Sequence, residues 1–153
     1  MSVRDTGVRG QSRRPVSVLV VVYVPDGSVL LLRRSRPFDF WQSVTGSLGA
    51  DETHAEAASR ELEEETGLCD EGELSFSGTA RTFEIDARWA HRYPRGVTQN
   101  VEYEWRYRLP GTRDVTLNPM EHSEFKWLPV DEAIDLVWSW TNREALTGLR
   151  DAL

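Results

Sequence analysis

The run over residues 15–23, PVSVLVVVY, is β-branched and apolar almost throughout, and it restricts the fold more than any other segment because it reads as a buried strand. The turn sequence Pro25-Asp26-Gly27-Ser28 follows, and residues 29–33 read as the returning strand of a hairpin. Residues 38–45 form a short aromatic strand with Trp41 and Val44, and residues 46–51 a loop carrying two glycines. Further strands are expected over 74–85, 101–109 and 125–128, with a polar, arginine-rich connection over 87–100. Helical patterning occurs twice, over 53–66 and from about residue 132 onward, where Ile134, Val137 and Trp138 recur at helical spacing. Strands followed by helices give an α/β fold, a mixed sheet between helical layers. The chain has 153 residues, no internal repeat and no linker. That length suits one domain over residues 14–153, preceded by a mobile arm over residues 1–13.

The strongest helix is the one over 53–66. Thr53 and Glu56 have capping-box spacing, alanine and glutamate fill the interior, and Gly67 stands where a left-handed cap ends a helix. Each residue advances about 100° around the axis, so Glu61, Glu64 and Glu65 share one arc of about 100°. Ala57 lies in the same arc a turn earlier, and Ala55, Ala58 and Leu62 form the neighbouring apolar stripe that faces the core. Glu56 and Glu63 point to solvent, and Arg60 is four residues from both Glu56 and Glu64, at ion-pair spacing. Carboxylates crowded on one arc repel, and Glu61 and Glu65 are a like-charge i, i+4 pair. A hard cation resolves that conflict. Mg²⁺ takes oxygen ligands, a few carboxylates together with water and substrate phosphates. The net charge of −7 argues against sequence-independent DNA binding, which needs a basic footprint. A divalent cation still lets an acidic protein hold a polyphosphate.

Cys69 is the single cysteine, so no intramolecular disulfide framework exists, and a reducing compartment is implied. No apolar run reaches transmembrane length, and the first fourteen residues hold four arginines without the apolar stretch of a secretory signal. A cytoplasmic location without a membrane partner is the expectation.

Spacing carries the argument further. A glycine, five residues, a glutamate, seven residues and then Arg-Glu-apolar-x-Glu-Glu-x-Gly-apolar fall here on Gly46, Glu52, Arg60, Glu61, Leu62, Glu64, Glu65, Gly67 and Leu68. This segment resembles the signature of the Nudix hydrolases at every position. The resemblance implies an α/β/α sandwich with a mixed sheet, and hydrolysis of a nucleoside diphosphate linked to another group. It implies Glu61, Glu64 and Glu65 as catalytic residues, with Glu61 and Glu65 as Mg²⁺ ligands. Mn²⁺ is a possible substitute ion. Which glutamate is the base varies in the family and stays open. Arg60 would hold the carboxylates in place and Glu52 would buttress the loop.

The segments RPVSVLVVVY, FWQSVTGS, HRYPRGVTQN, EHSEFKW and SWTNREAL resemble the branch of that family in bacterial folate synthesis, and Thr45 before Gly46, where many members carry proline, fits that branch. The implied substrate is a small-molecule triphosphate, 7,8-dihydroneopterin triphosphate, cleaved to the monophosphate and pyrophosphate. By the same resemblance Glu121 is a third Mg²⁺ ligand, with Glu124 as rival. Arg13, Arg34 and Thr45 are candidates for phosphate contacts, and Phe83, Glu84, Ile85, Asp86 and Ser139 for the rest of the substrate pocket. Trp41 and Trp138 are candidates for stacking on a pterin ring, and residues 91–96 for a loop covering the substrate. Two other readings share these residues: a Nudix hydrolase of deoxynucleoside triphosphates or another nucleoside-diphosphate compound, and a Nudix-like domain that senses a ligand without turnover. Oligomeric state is not legible.

Overall fold

A computed structural model describes residues 13–153. Its first strand, β1 (Val16–Tyr23), explains why the opening run is apolar at nearly every position. Along one edge it pairs in parallel with β6 (Gln99–Arg108), from Val16 opposite Val101 to Tyr23 opposite Arg108. Along the other it pairs antiparallel with β4 (Val44–Ser47), from Ser17 opposite Ser47 to Val20 opposite Val44. With neighbours on both edges and helices on both faces, successive side chains enter two separate cores. Val18, Val20 and Val22 pack with Leu30, Leu32, Ala57, Ala58 and Leu62. Leu19 and Val21 pack with Val29, Leu31, Ala133, Leu146 and Leu149.

One mixed seven-stranded sheet results, with the path β3–β2–β1–β6–β5; β4 joins it at β1 and β7 at β2. Here β2 is Ser28–Arg34, β3 Phe40–Gln42, β5 Glu73–Glu84 and β7 Glu124–Pro129. Helix α1 (His54–Thr66) covers one face, and α2 (Val130–Leu136) and α3 (Trp140–Ala152) cover the other. This is the expected α/β/α layering. No helix among the described residues is long and apolar enough to cross a membrane.

Several local expectations change. The hairpin is reduced to one rung, Tyr23 opposite Val29, because β2 leaves β1 to pair with β7 from Ser28 to Arg33. The aromatic strand over 38–45 is two strands, one on β2 and one on β1. They divide at buried Ser43, whose N–H donates to Asn142 Oδ1 at 2.9 Å while the Asn142 amide donates to Ser43 Oγ at 3.0 Å. Gly46 therefore lies in a strand, not in the loop. The expected second helix is two helices. Val137 is extended, and Ser139 caps α3 by accepting from Asn142 N–H. The expected arm falls, except for Arg13, outside the described residues.

Candidate active site

Helix α1 begins and ends as its sequence requires. The Thr53 side chain accepts from Glu56 N–H, Glu56 accepts in return from Thr53 N–H, and Gly67 closes the helix in the left-handed conformation at φ 77°. Its burial is rotated from expectation. Ala55 is exposed in the overhanging first turn, and the sheet-facing residues are Ala57, Ala58, Leu62, Glu65 and Thr66. The glutamate arc is thus partly the buried arc. Glu65 is 2% exposed, the Glu61 side chain is 13% exposed and that of Glu64 is 56% exposed.

Burial sets the chemistry of that pair. Loss of solvent, followed by the neighbouring Glu61 charge, holds the Glu65 carboxyl well above the usual carboxylate range, against a backbone hydrogen bond from Thr45. Burial also raises Glu61. Glu65 Oε1 is buried without a hydrogen-bond partner. A Cβ on Gly46 would overlap the Glu61 carboxyl, lying 2.6 Å from its Oε1, so glycine is the residue that lets this carboxylate lie flat on β4.

Arg60 holds the remaining acids. Its guanidinium donates to Glu52 at 2.7 and 2.9 Å, to Glu61 Oε2 at 2.9 Å, to Glu64 Oε1 at 3.1 Å and to the Ser47 carbonyl at 3.1 Å. Those bonds from Arg60 hold the Glu52 carboxyl below its ordinary value. Glu52 also accepts from Gly49 N–H at 2.8 Å, which braces the loop as expected. The expected pair with Glu56 does not form, because Glu56 is engaged in the cap. Among the described residues no three acidic, histidine or cysteine side chains gather as a ready-made metal cage. Two adjacent buried carboxylates, one with an orphaned oxygen, nonetheless suit Mg²⁺, which fills its octahedron largely with water and substrate phosphate.

The acids border a cleft of about 1950 Å³. Arg13, Arg34, Thr45, Phe83, Glu84, Ile85, Asp86, Ser139 and Glu121 all line it, together with Glu61 and Glu64. Arg13 extends from the start of the described chain, its guanidinium 3.4 Å from Ser47 Oγ and its N–H bonded to the Arg92 carbonyl. Thr45 Oγ1 donates to the Val18 carbonyl at 2.8 Å, which ties β4 to β1 beneath the acids. Of the two tryptophan candidates, only Trp138 lines the cleft. Trp41 packs into the core between the sheet and α2–α3, with Lys126 Nζ 4.9 Å from its ring centroid. Glu124 is engaged elsewhere, by Arg33 at 2.6 Å.

Several lining groups were not named individually from sequence. Trp89, on a 3-10 turn over Ala87–Arg92, stands 5.5 Å from Trp138 and 6.0 Å from Phe40 between ring centroids, making an aromatic wall. Arg92 on the same turn is half-buried, and burial and then the charges of Arg13 and Arg34 push its guanidinium below its ordinary value. It falls within the expected covering loop, of which His91, Arg92 and Tyr93 line the cleft. His122 is buried with Nδ1 unpartnered, and burial lowers its imidazole to about 4. Glu102, on β6, lies in the cleft floor. Glu102 alternates with Val101 and Tyr103, and that period reads from sequence as the solvated face of a half-buried strand.

The pattern of the NUDIX domain matches residues 13–148. The chain is 44% identical over 138 residues to the dihydroneopterin triphosphate diphosphatase of Escherichia coli (strain K12), covering 88% of this chain and 91% of that protein. It is 34% identical over 144 residues to the enzyme of the same description from Haemophilus influenzae, covering 89% and 87%. Among solved structures, that of the E. coli dihydroneopterin triphosphate pyrophosphohydrolase superposes with a TM-score of 0.83 at 41% identity, over 89% of this chain and 94% of that one.

Proposed function

The chain belongs to the NUDIX-domain family, and from that premise we propose that it hydrolyses 7,8-dihydroneopterin triphosphate to dihydroneopterin monophosphate and pyrophosphate. Family members generally require a divalent metal, and Mg²⁺ is the ion assigned here, with Mn²⁺ as a substitute. One observation carries the reading. A single cleft brings together two clusters of opposite sign, each in internal conflict: Glu61, with Glu65 buried directly behind it, and the arginines Arg13, Arg34 and Arg92. A cation relieves the first and a polyphosphate relieves the second, and a metal–triphosphate complex does both at once.

Glu61 and Glu65 would hold the ion, joined by Glu121 from the turn after Pro119, while Glu64 orients water. When bound, the ion polarises the phosphoryl oxygens and acidifies water. The chain supplies the rest. Arg60 fixes the carboxylates, and Arg13, Arg34 and Arg92 grip the phosphate oxygens by charge-assisted hydrogen bonds. Trp138, Trp89 and Phe40 offer aromatic surface for the ring, with Thr45, Phe83, Glu84, Ile85, Asp86 and Ser139 completing the pocket. Water attacks the α-phosphorus, the α–β phosphoanhydride bond breaks, pyrophosphate departs with the electron pair, and the proton lost by the water passes to a site carboxylate or to solvent. Cys69 is an exposed free thiol, which suits a reducing compartment, and the cytoplasm is the location we assign.

The test is turnover of dihydroneopterin triphosphate against nucleoside triphosphates, ADP-ribose and diadenosine polyphosphates, with Mg²⁺ and with EDTA, reading pyrophosphate and orthophosphate. Preference for the pterin with Mg²⁺-dependent pyrophosphate release is expected. A higher kcat/KM for another compound would keep the hydrolase and remove this substrate. Absence of any turnover by folded, Mg²⁺-loaded protein would favour a ligand sensor.

A further inference from the structure

Glu102 lies in the floor of the cleft and is only 6% exposed. In the sheet it stands between Ser17 of β1 and Arg81 of β5, its register partners, so the three side chains share one face. Arg81 does not neutralise it. That guanidinium turns to Glu104 at 2.7 Å and to Glu144 at 3.3 Å, and Arg106 also goes to Glu104, at 3.4 Å. Among the described residues Glu102 has no ion-pair partner, and the hydroxyl of Thr141, on α3, is its hydrogen-bonding neighbour. A buried carboxylate without a cation is costly unless something else satisfies it. Two residues along the same strand, Asn100 is 1% exposed and donates to Ser17 Oγ at 2.8 Å, while its Oδ1 is buried without a partner. The floor beneath the cleft therefore has an excess of acceptors, beside the aromatic surface of Trp138 and Phe83.

We infer that Glu102 is a specificity-determining residue, its two carboxylate oxygens accepting the paired N–H donors of a 2-amino-4-oxopyrimidine edge. That edge presents a ring N–H and an exocyclic NH₂ side by side, a fork that two carboxylate oxygens match and that a neutral amide cannot. Pterins and guanine share it. Adenine offers an acceptor beside a donor, which leaves one carboxylate oxygen facing a lone pair. The inference deepens the proposed function and rests on it only for the identity of the ring: the same chemistry would select guanine if the pterin substrate proved wrong.

Burial raises the Glu102 carboxyl to about 7, opposed by the Thr141 hydroxyl and the Arg81 charge and reinforced by Glu104. Accepting two donors requires the ionised form, so recognition is complete above that value and fades as pH falls through it.

The experiment measures kcat/KM for dihydroneopterin triphosphate, GTP and ATP with Mg²⁺, in the native protein and in Glu102→Gln. The preference for the two 2-amino-4-oxo substrates over ATP should fall at least tenfold in the variant, with the loss in KM. A folded variant that keeps the native ratio overturns the inference. Should the variant not fold, the native protein decides: the preference should decline at least fivefold from pH 8 to pH 6, with the shared triphosphate cancelling from the ratio, and a flat ratio overturns it. Quenching of tryptophan fluorescence by neopterin, guanosine and adenosine gives the same comparison without turnover. Failure of the pterin substrate alongside a collapsed GTP-over-ATP ratio would remove the substrate and keep Glu102. Pterin turnover with an unaltered ratio would do the reverse.

Discussion

Replacing Glu65 with glutamine should make the metal-free protein more stable while destroying its activity. The Glu65 carboxyl is 2% exposed, lies beside Glu61, and has one oxygen with no partner. Because its folded pKa is raised, ionisation opposes folding. The penalty is absent below the ordinary carboxylate range, grows as pH rises toward the folded value, and is complete above it. Glutamine keeps the shape, removes the charge and can donate an N–H to Glu61. Relief of an unsatisfied buried charged group is worth about 1–3 kcal/mol. At about 2–4 °C per kcal/mol for a chain of this size, a central value near 2 kcal/mol raises Tm by about 4–8 °C. Mg²⁺ at ten times its Kd would stabilise the native protein by about 1.4 kcal/mol, or about 3–6 °C, and should do little for the variant. Differential scanning calorimetry at pH 8 and at pH 5, each with EDTA and with Mg²⁺, reads all of this. The gain should be largest at pH 8 in EDTA, smaller at pH 5 and smaller in Mg²⁺, and turnover should drop by at least a thousandfold. A variant that melts at or below the native temperature in EDTA at pH 8, or that keeps the native response to Mg²⁺, would refute the assignment of Glu65 as a strained ligand.

Other substitutions separate the parts of the site. Gly46→Ala puts a methyl into the Glu61 carboxyl; kcat should fall about a hundredfold, and urea unfolding should show a loss of about 1–3 kcal/mol from overpacking. Arg60→Met releases Glu52, Glu61 and Glu64 together; the apparent affinity for Mg²⁺, from the metal dependence of turnover, should weaken about 10–100-fold, as when the group orienting a ligand is lost. Asn142→Ala strands the buried Ser43 N–H; urea denaturation should show a loss of about 1–3 kcal/mol.

The sequence carried the parts of this molecule whose physics is local. The α1 caps at Thr53 and Gly67, the apolar period of β1 and the glutamate spacing all depend on residues within a few turns of one another, and the structure keeps them. What it did not carry was tertiary. Nothing near Ser43 says that Asn142 will bind it and split one strand into two. Nothing near Val29 says that β2 will prefer β7 to its own hairpin partner. The same limit applied in the cleft. The arginine expected at Arg34 was joined by Arg92 only because the connection over residues 87–98 folds back to bond Arg13. Trp41 and Trp138 looked alike until the sheet put one against α2 and the other beside Trp89.

That division also explains where the protein concentrates its electrostatic strain. Glu52, Glu64 and Glu104 are acids with an arginine in contact, and their charges are balanced within the fold. Glu65 and Glu102 are buried acids with no arginine in contact among the described residues, and burial raises both. In the proposed complex they would serve opposite ends of one substrate: Glu65 beside the acids that would meet its phosphates through a cation, Glu102 in the floor that would meet the edge of its ring. A fold selected for stability alone would replace either with a neutral side chain of the same size. Their retention is intelligible if each is satisfied only in the complex, by the metal at one end and by paired N–H donors at the other. On that reasoning the native protein should gain more stability from metal and ring ligand together than Glu65→Gln or Glu102→Gln can, although both variants start from a higher metal-free Tm at pH 8.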